Sequence, residues 1–332
     1  MRAFSILAIV AGVGAMVALV LYFGAVGVWG ALLAVGWLGF ASIVLIHIAL
    51  TCVMGLAWHA LLPRIRWWVP VWGRFVRDAG SEVLPLSQVG GYVLGTRAVA
   101  LFGVPATRGA ASTIVDVTLE FVGQLGYTAL GLLWLLHLNA GTIDPRAVVV
   151  GLALASCLAL GFVMVQRRGI VHIDRIARIL GRGWAARTAA GAALLHAALE
   201  SIYRYRSGIW ASFLLHFGCW VVSAAEMWVA LRLANAPLPF GTMIVIESLV
   251  YATRAVAFVV PNSVGVQEGA YVVLGTAFGL SPEMGLALSL LKRARDLTIG
   301  MPVLVVWQAI EGGRLMRRAA AKAPGAPMGE RE

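Results

Sequence analysis

Ionisable residues lie inside stretches of this chain that are otherwise apolar enough to sit in lipid: Glu82, Arg97, Asp116, Glu120, Glu226, Glu247, Arg254, Glu268, Lys292, Arg293 and Asp296. A charge at the centre of a bilayer costs about 2.5–3.5 kcal/mol even on insertion scales, so such residues must pair, line a wet cavity, or do both. Asp116 and Glu120 are four apart and share a helix face, as do Lys292 and Asp296. Arg293 and Asp296 are three apart, and Glu247 and Arg254 seven apart. Arginines such as Arg97, Arg254 and Arg293 offer the planar fork that holds a phosphate or sugar headgroup. Glu120, Glu268 or Asp296 could carry a coupling proton. The same charges can instead serve only to bolt helices together, and the sequence leaves both roles open.

The charges gather around two matching interruptions. The first reads Val83-Leu84-Pro85-Leu86-Ser87-Gln88-Val89-Gly90-Gly91, and the second runs from Val259 through Pro261, Asn262, Ser263 and Gly265 to Glu268 and Gly269. The prolines are 261 − 85 = 176 positions apart. The same offset carries Ser87 to Ser263, Gly103 to Gly279, Gly109 to Gly285, Ala111 to Ala287 and acidic Glu120 to acidic Asp296. An internal duplication of this kind is how many transporters are built.

The elements that must position these residues are membrane helices. With 61% hydrophobic and 12% charged residues over 332 positions, the chain is an integral membrane protein. A net charge of +11 would suggest nucleic acid in a soluble protein. Here the basic residues cluster beside apolar spans and read as cytoplasmic-side anchors, which argues against DNA or RNA as a partner. Cys52, Cys157 and Cys219 are isolated within apolar runs and read as plain buried thiols. The histidines show no ligand spacing, and His47, His59, His137, His196 and His216 read as interface or packing residues. No metal site, cofactor or catalytic constellation is expected.

Apolar runs predict spans near 4–23, 40–62, 109–136, 147–165, 208–231 and 284–310, with the interrupted segments 76–104 and 242–280 left over. The first run is too long for a signal peptide and reads as an anchor. The stretch 28–39, with Trp29 and Trp37, reads as an interfacial lead-in to the second span. Arg64, Arg66, Arg74 and Arg77 crowd one connection, Arg167 to Arg206 another, and Arg314, Arg317, Arg318 and Lys322 the C-terminal end. By the positive-inside rule these lie in the cytoplasm, with both termini. The first interrupted segment then enters from the cytoplasmic side and the second from the opposite side, so the repeats are inverted.

Each interrupted segment reads as a re-entrant helix pair, because proline removes a backbone donor and glycine permits a sharp turn. Irregular backbone survives at membrane depth only when buried in protein or lining a cavity. Two opposed re-entrants meeting near the midplane would make such a cavity; a pair of kinked ordinary helices is the plainer alternative. The expected organisation is one transmembrane unit over 1–315, with repeat halves about 40–136 and 208–310 joined by a basic cytoplasmic linker, 166–206, and a polar tail, 316–332. Within the linker, Val171 to Leu180 reads as a basic amphipathic helix on the inner leaflet.

Pro261, Gly265 and Glu268, followed by the basic run Lys292 to Asp296, resemble the lysylphosphatidylglycerol synthase transmembrane, or flippase-like, family over essentially the whole chain. Leu84 to Gly91 followed by Gly95-Thr96-Arg97 resembles its branch associated with hopanoid biosynthesis. Many relatives outside that branch carry an acidic residue directly after the first glycine, where this chain has Gly91. The resemblance implies an all-α polytopic protein of the bacterial inner membrane that moves a hopanoid or hopanoid-linked glycolipid between leaflets or membranes. Aminoacyl-transferring members carry a large soluble catalytic domain after the membrane part. The sequence ends at Glu332 without one, so synthesis of lysyl-lipid is not expected. Two other classes stand beside transport: a membrane transferase using Asp116, Glu120 or Glu268 as base, and a scaffold for lipid-synthesising enzymes. The residues expected to form the cavity are Arg97, Glu120, Arg254, Glu268, Arg293 and Asp296. Pro85, Gly90, Gly91, Pro261 and Gly265 are expected to shape the breaks.

Overall fold

A computed structural model describes residues 14, 17–83, 88–138, 182–257 and 260–320, with single positions and pairs between 150 and 164. The elements are α1 (Ala25–Ala60), α2 (Trp68–Glu82), α3 (Gln88–Ala100), α4 (Ala106–Leu138), α5 (Arg182–Arg204), α6 (Arg206–Leu233), α7 (Phe240–Val256), a 3-10 turn (Pro261–Ser263), α8 (Val266–Ala277) and α9 (Pro282–Ala320). The described residues contain no strand, and the protein is all-α.

Helix length separates two classes of element. Helices α1, α4 and α6, of 36, 33 and 28 residues, are long and apolar enough to cross a membrane, so the protein is multi-pass. Helix α9, at 39 residues, has the length but carries the charged run Lys292 to Asp296. Helices α2, α3, α7 and α8 have only 15, 13, 17 and 12 residues. At about 1.5 Å per residue they reach roughly 18–25 Å, short of the ~30 Å hydrocarbon core. Each interruption therefore joins two half-length helices, as a re-entrant pair requires.

The offset of 176 recurs in the backbone. Gly103 and Gly279 both take left-handed φ, 93° and 87°, where a side chain is disfavoured. The N–H of Val104 bonds the carbonyl of Val99 at 3.4 Å, and that of Leu280 bonds Gly275 at 2.9 Å. These are equivalent residues closing equivalent turns, in each repeat between the second short helix and the long helix that follows it. The long first helices run antiparallel: Gly39 lies against Leu233, His47 against Glu226, Leu50 against Cys219 and Ala60 against Gly208. Repeat-related helices that point in opposite directions make the repeats inverted. The remaining packing obeys the same symmetry, with α9 of the second repeat on α1 and α2 of the first matched by α4 of the first on α6 and α7 of the second.

Two expectations are corrected. Residues 28–39 are helical and belong to α1, which begins at Ala25 and bends at Gly36, where φ is 66°. Trp29 and Trp37 lie on its exposed apolar side with Leu33, Leu38 and Leu45, a surface suited to lipid rather than water. Arg74 and Arg77 do not lie in a loop. They sit in α2, 4% and 2% exposed, while Arg64 and Arg66 remain exposed in the connection before it. The span at 147–165 is described only at scattered positions, and Pro85, Val171 to Leu180 and most of 4–23 lie outside the described residues.

Two large apolar cores among the described residues hold the helices together. Trp58, Leu62, Val99 and Val115 build one, which Leu199 and Ile202 of α5 help to cover. Ile43, Met227, Met243, Ile246 and Leu288 build the other.

Candidate functional site

The second break is held in a strained shape. Asn262 and Ser263 take left-handed φ of 51° and 47°, and Gly265 follows at 83°. For residues other than glycine such angles cost on the order of 1–3 kcal/mol each unless the surroundings impose them. Asn262 Nδ2 donates to the carbonyl of Glu82 at 2.6 Å, and Arg293 Nη1 donates to the carbonyl of Asn262 at 2.8 Å. Glu82 is the last residue of α2, so the helix end that leads into the first break meets the second break directly. Arg254 Nη2 bonds both carboxylate oxygens of Glu82, at 3.0 and 3.1 Å, and reaches Asn262 Oδ1 at 3.5 Å.

Glu268 organises the start of α8. It is fully buried; Oε2 accepts from the Gly265 N–H at 2.7 Å, and Oε1 accepts from Ser289 and from Arg293 Nε, both at 3.1 Å. Gln267 extends the chain to Ser289 at 2.9 Å. The left-handed Gly265 turns the chain so that its N–H points back at Glu268, which explains why glycine and glutamate three residues apart matter here. Among the described residues no partner meets Arg293 Nη2, which is buried beside the break.

Flanking the join, each repeat holds an ion-pair cluster. In the first, Arg74 grips Glu120 with both terminal nitrogens, at 2.9 and 2.7 Å, and Asp78 with Nε at 2.7 Å. Arg77 pairs with Asp116 at 2.8 Å and with Glu120. His216 of α6 reaches Asp116 at 2.9 Å. In the second, Lys292 and the Tyr271 hydroxyl both bond Glu247, and Lys292 lies 4.7 Å from the Tyr251 ring centre. Arg295 pairs with Glu226 and with Asp296 at 2.7 Å, while His47 meets Glu226 at 2.8 Å. Breaking a buried pair by removing one partner strands a charge and costs about 3–5 kcal/mol. These clusters lock α2 to α4, α4 to α6, α7 to α9 and α1 to α6.

The residues named from sequence fall into distinct places. Arg254, Glu268 and Arg293 converge on the second break. Glu120 and Asp296, equivalent by repeat, sit in the two flanking clusters. Arg97, 42% exposed in its side chain, pairs with Glu311 at 2.7 Å near the end of α9. Gly91 is not a turn residue: it lies in α3, and a Cβ there would run into Ser81 and the Arg77 carbonyl, so it allows α2 and α3 to pack closely. Gly90 also lies within α3, and Pro261 opens the 3-10 turn. Sequence reasoning missed Arg74, Arg77, Asp78, Glu311 and the pairing roles of His47 and His216. The four-residue spacing of Arg74 and Asp78 was an available signal, as were the two carboxylates of α4, which have no cation three or four residues away in their own helix. Among the described residues no group of His, Cys, Asp and Glu is placed to hold a metal ion.

No curated protein and no solved structure matches the chain. The family model for the lysylphosphatidylglycerol synthase TM region covers residues 5–303, which include both breaks and both clusters. The chain is therefore an integral membrane protein of a lipid-related family, and belongs to the lysylphosphatidylglycerol synthase transmembrane family.

Proposed function

We propose that this protein moves a lipid between leaflets or membranes, with a hopanoid or hopanoid-linked lipid as cargo, and that the headgroup is handled where the two breaks meet. The observation that carries this reading is the hydrogen bond from Asn262 to the Glu82 carbonyl, ringed by Arg254 and Arg293. Backbone that leaves helical geometry inside a membrane protein is tolerated where it lines a path. Inverted repeats with broken helices at their interface are the architecture that alternates access around such a path. Arg254 and Arg293 would engage a phosphate or hydroxylated headgroup, and Glu268 would hold the break in register. Arg97, Glu120 and Asp296 support this reading from the flanks: the latter two keep the helices that carry the breaks in place. The cargo assignment follows from the resemblance of Leu84 to Gly91 and Arg97 to the hopanoid-associated branch.

The same reading places the protein in the bacterial inner membrane with both termini cytoplasmic, where it would meet lipid-synthesising enzymes. It carries out transport rather than aminoacyl transfer. Lipids extracted separately from inner and outer membranes of a host with and without the gene test it, with hopanoids and their glycolipid conjugates resolved. Loss of one lipid from one membrane, with total synthesis retained, is expected. Disappearance of a lipid from the whole cell would move a transferase or a biosynthetic scaffold ahead.

A further inference from the structure

We propose that the C-terminal part of α9, where it meets α3 and the turn after it, binds the hydroxylated headgroup of a lipid, a sugar or polyol, through Glu311 and Trp307. This deepens the transport reading and rests on it only for the ligand being a lipid.

Arg97 aims two donors, Nε at 3.2 Å and Nη2 at 2.7 Å, at a single oxygen, Oε1 of Glu311. A guanidinium facing a carboxylate ordinarily engages both oxygens through parallel N–H bonds. Here Oε2 is left buried without a donor among the described residues. One turn earlier, on the same face of α9, the indole Nε1 of Trp307 is buried without an acceptor among the described residues. An acceptor and a donor thus stand one turn apart and do not bond each other.

The pair selects a chemical class. A hydroxyl both donates and accepts, so a diol or sugar edge can donate to Glu311 Oε2 and accept from Trp307 Nε1. A phosphate only accepts and would face the Glu311 carboxylate. An ammonium only donates and would leave the indole N–H unpaired. The frame is anchored: Arg314 donates to the Leu101 carbonyl and lies 5.3 Å from the Phe102 ring centre, fixing α9 on the turn after α3. The 42% exposure of the Arg97 side chain leaves a way in.

The duplication argues against a purely structural role. Shifted by 176, Arg97 becomes Val273, Trp307 becomes Gly131 and Glu311 becomes Leu135. The symmetry-related corner, formed by α8 of the second repeat and α4 of the first, builds the same helices without any of these groups, so the scaffold does not need them. A function confined to one end of the molecule does.

The test uses the purified full chain in phosphatidylcholine nanodiscs doped, in separate samples, with monoglucosyl diacylglycerol, diacylglycerol or phosphatidic acid. Retained lipid is counted by native mass spectrometry. The native protein is expected to retain the glucosyl lipid over diacylglycerol. That preference should fall at least about tenfold in the Trp307→Phe, Glu311→Gln double variant, which removes one neutral hydrogen bond and one to a carboxylate. Arg232→Gln should keep it, because that exposed arginine lies at the C-terminal end of α6 over the Trp228 ring, outside this site and outside the join of the breaks. Trp307→Phe alone reads the same preference should the double variant fail to fold. Equal retention by native and variant protein, or a preference for phosphatidic acid, overturns the proposal. Loss of the preference with unchanged lipid distribution between membranes would count against the transport reading and leave this site standing.

Discussion

Asp116 and Lys292 occupy equivalent positions in the two repeats, 176 residues apart, and carry opposite charges. Both are buried, and each takes a partner of opposite sign from the first short helix of its own repeat. Asp116 binds Arg77 of α2 at 2.8 Å, and Lys292 binds Glu247 of α7. The duplication therefore preserved the place of the ionic lock while its polarity diverged. The price of burial makes the partner, rather than the sign, the conserved requirement of the scaffold.

From this lock follows a prediction about coupling. Asp116→Leu or Arg77→Met alone should destabilise the protein by about 3–5 kcal/mol, because each strands a charge beside Glu120 and Arg74. The double variant should lose clearly less than the sum. Thermal or denaturant unfolding in detergent measures this, and strictly additive losses would show that the pair is not a unit.

Lys292 and Glu247 allow the sign itself to be tested. The exchange of both residues, Lys292→Glu with Glu247→Lys, should recover more stability than either single change, with yield of folded protein from membranes as the readout. Tyr271→Phe should cost about 1–3 kcal/mol, since it removes the hydroxyl donor to the buried Glu247. No cost there would mean that Lys292 alone satisfies the carboxylate.

At Gly103 and Gly279 an added Cβ meets nothing within 4 Å, so the penalty of alanine comes from the left-handed φ alone. Both substitutions should cost about 1–2 kcal/mol and match each other closely. Gly91→Ala should cost more, because there the obstacle is backbone and side chain of α2. A reversed order in melting temperatures would contradict the packing described.

Membrane orientation gives a fourth prediction. A reporter active only outside the cytoplasm should be active when fused at Asn139 and Asn235 and silent at Arg168. Activity at Arg168 would place the basic segment outside and reverse the direction from which each break is entered.

How far the sequence disclosed this arrangement differs from element to element. The break from Pro261 to Gly265, the 176-residue offset and the glycine pair 103/279 were legible because turns demand particular residues. The inversion was legible because a break lies on opposite sides of an odd number of spans. Arg74 and Arg77 were misread as loop anchors because a positive-inside count sees residue type and neighbourhood, not burial. Their partners lie 46 and 39 positions away, at Glu120 and Asp116. Residues 28–39 were misread because glycines and tryptophans favour an interface, whereas packing on α6 and α9 holds the stretch helical around Gly36. Pairings such as Arg254 with Glu82 and Arg97 with Glu311 depend on the inverted fold and leave no local spacing to find.

The central claim is that lipid passes where Asn262 meets Glu82, so the most direct measurement is made on cells carrying Arg254→Gln or Arg293→Gln in place of the native gene. Protein level and melting temperature establish that each variant is folded, and inner and outer membrane lipids are then resolved separately. The account predicts that one hopanoid-class lipid is depleted from one membrane while its cellular total is kept. An unchanged lipid distribution in both folded variants would contradict it, leaving the two arginines as braces of the break and nothing more.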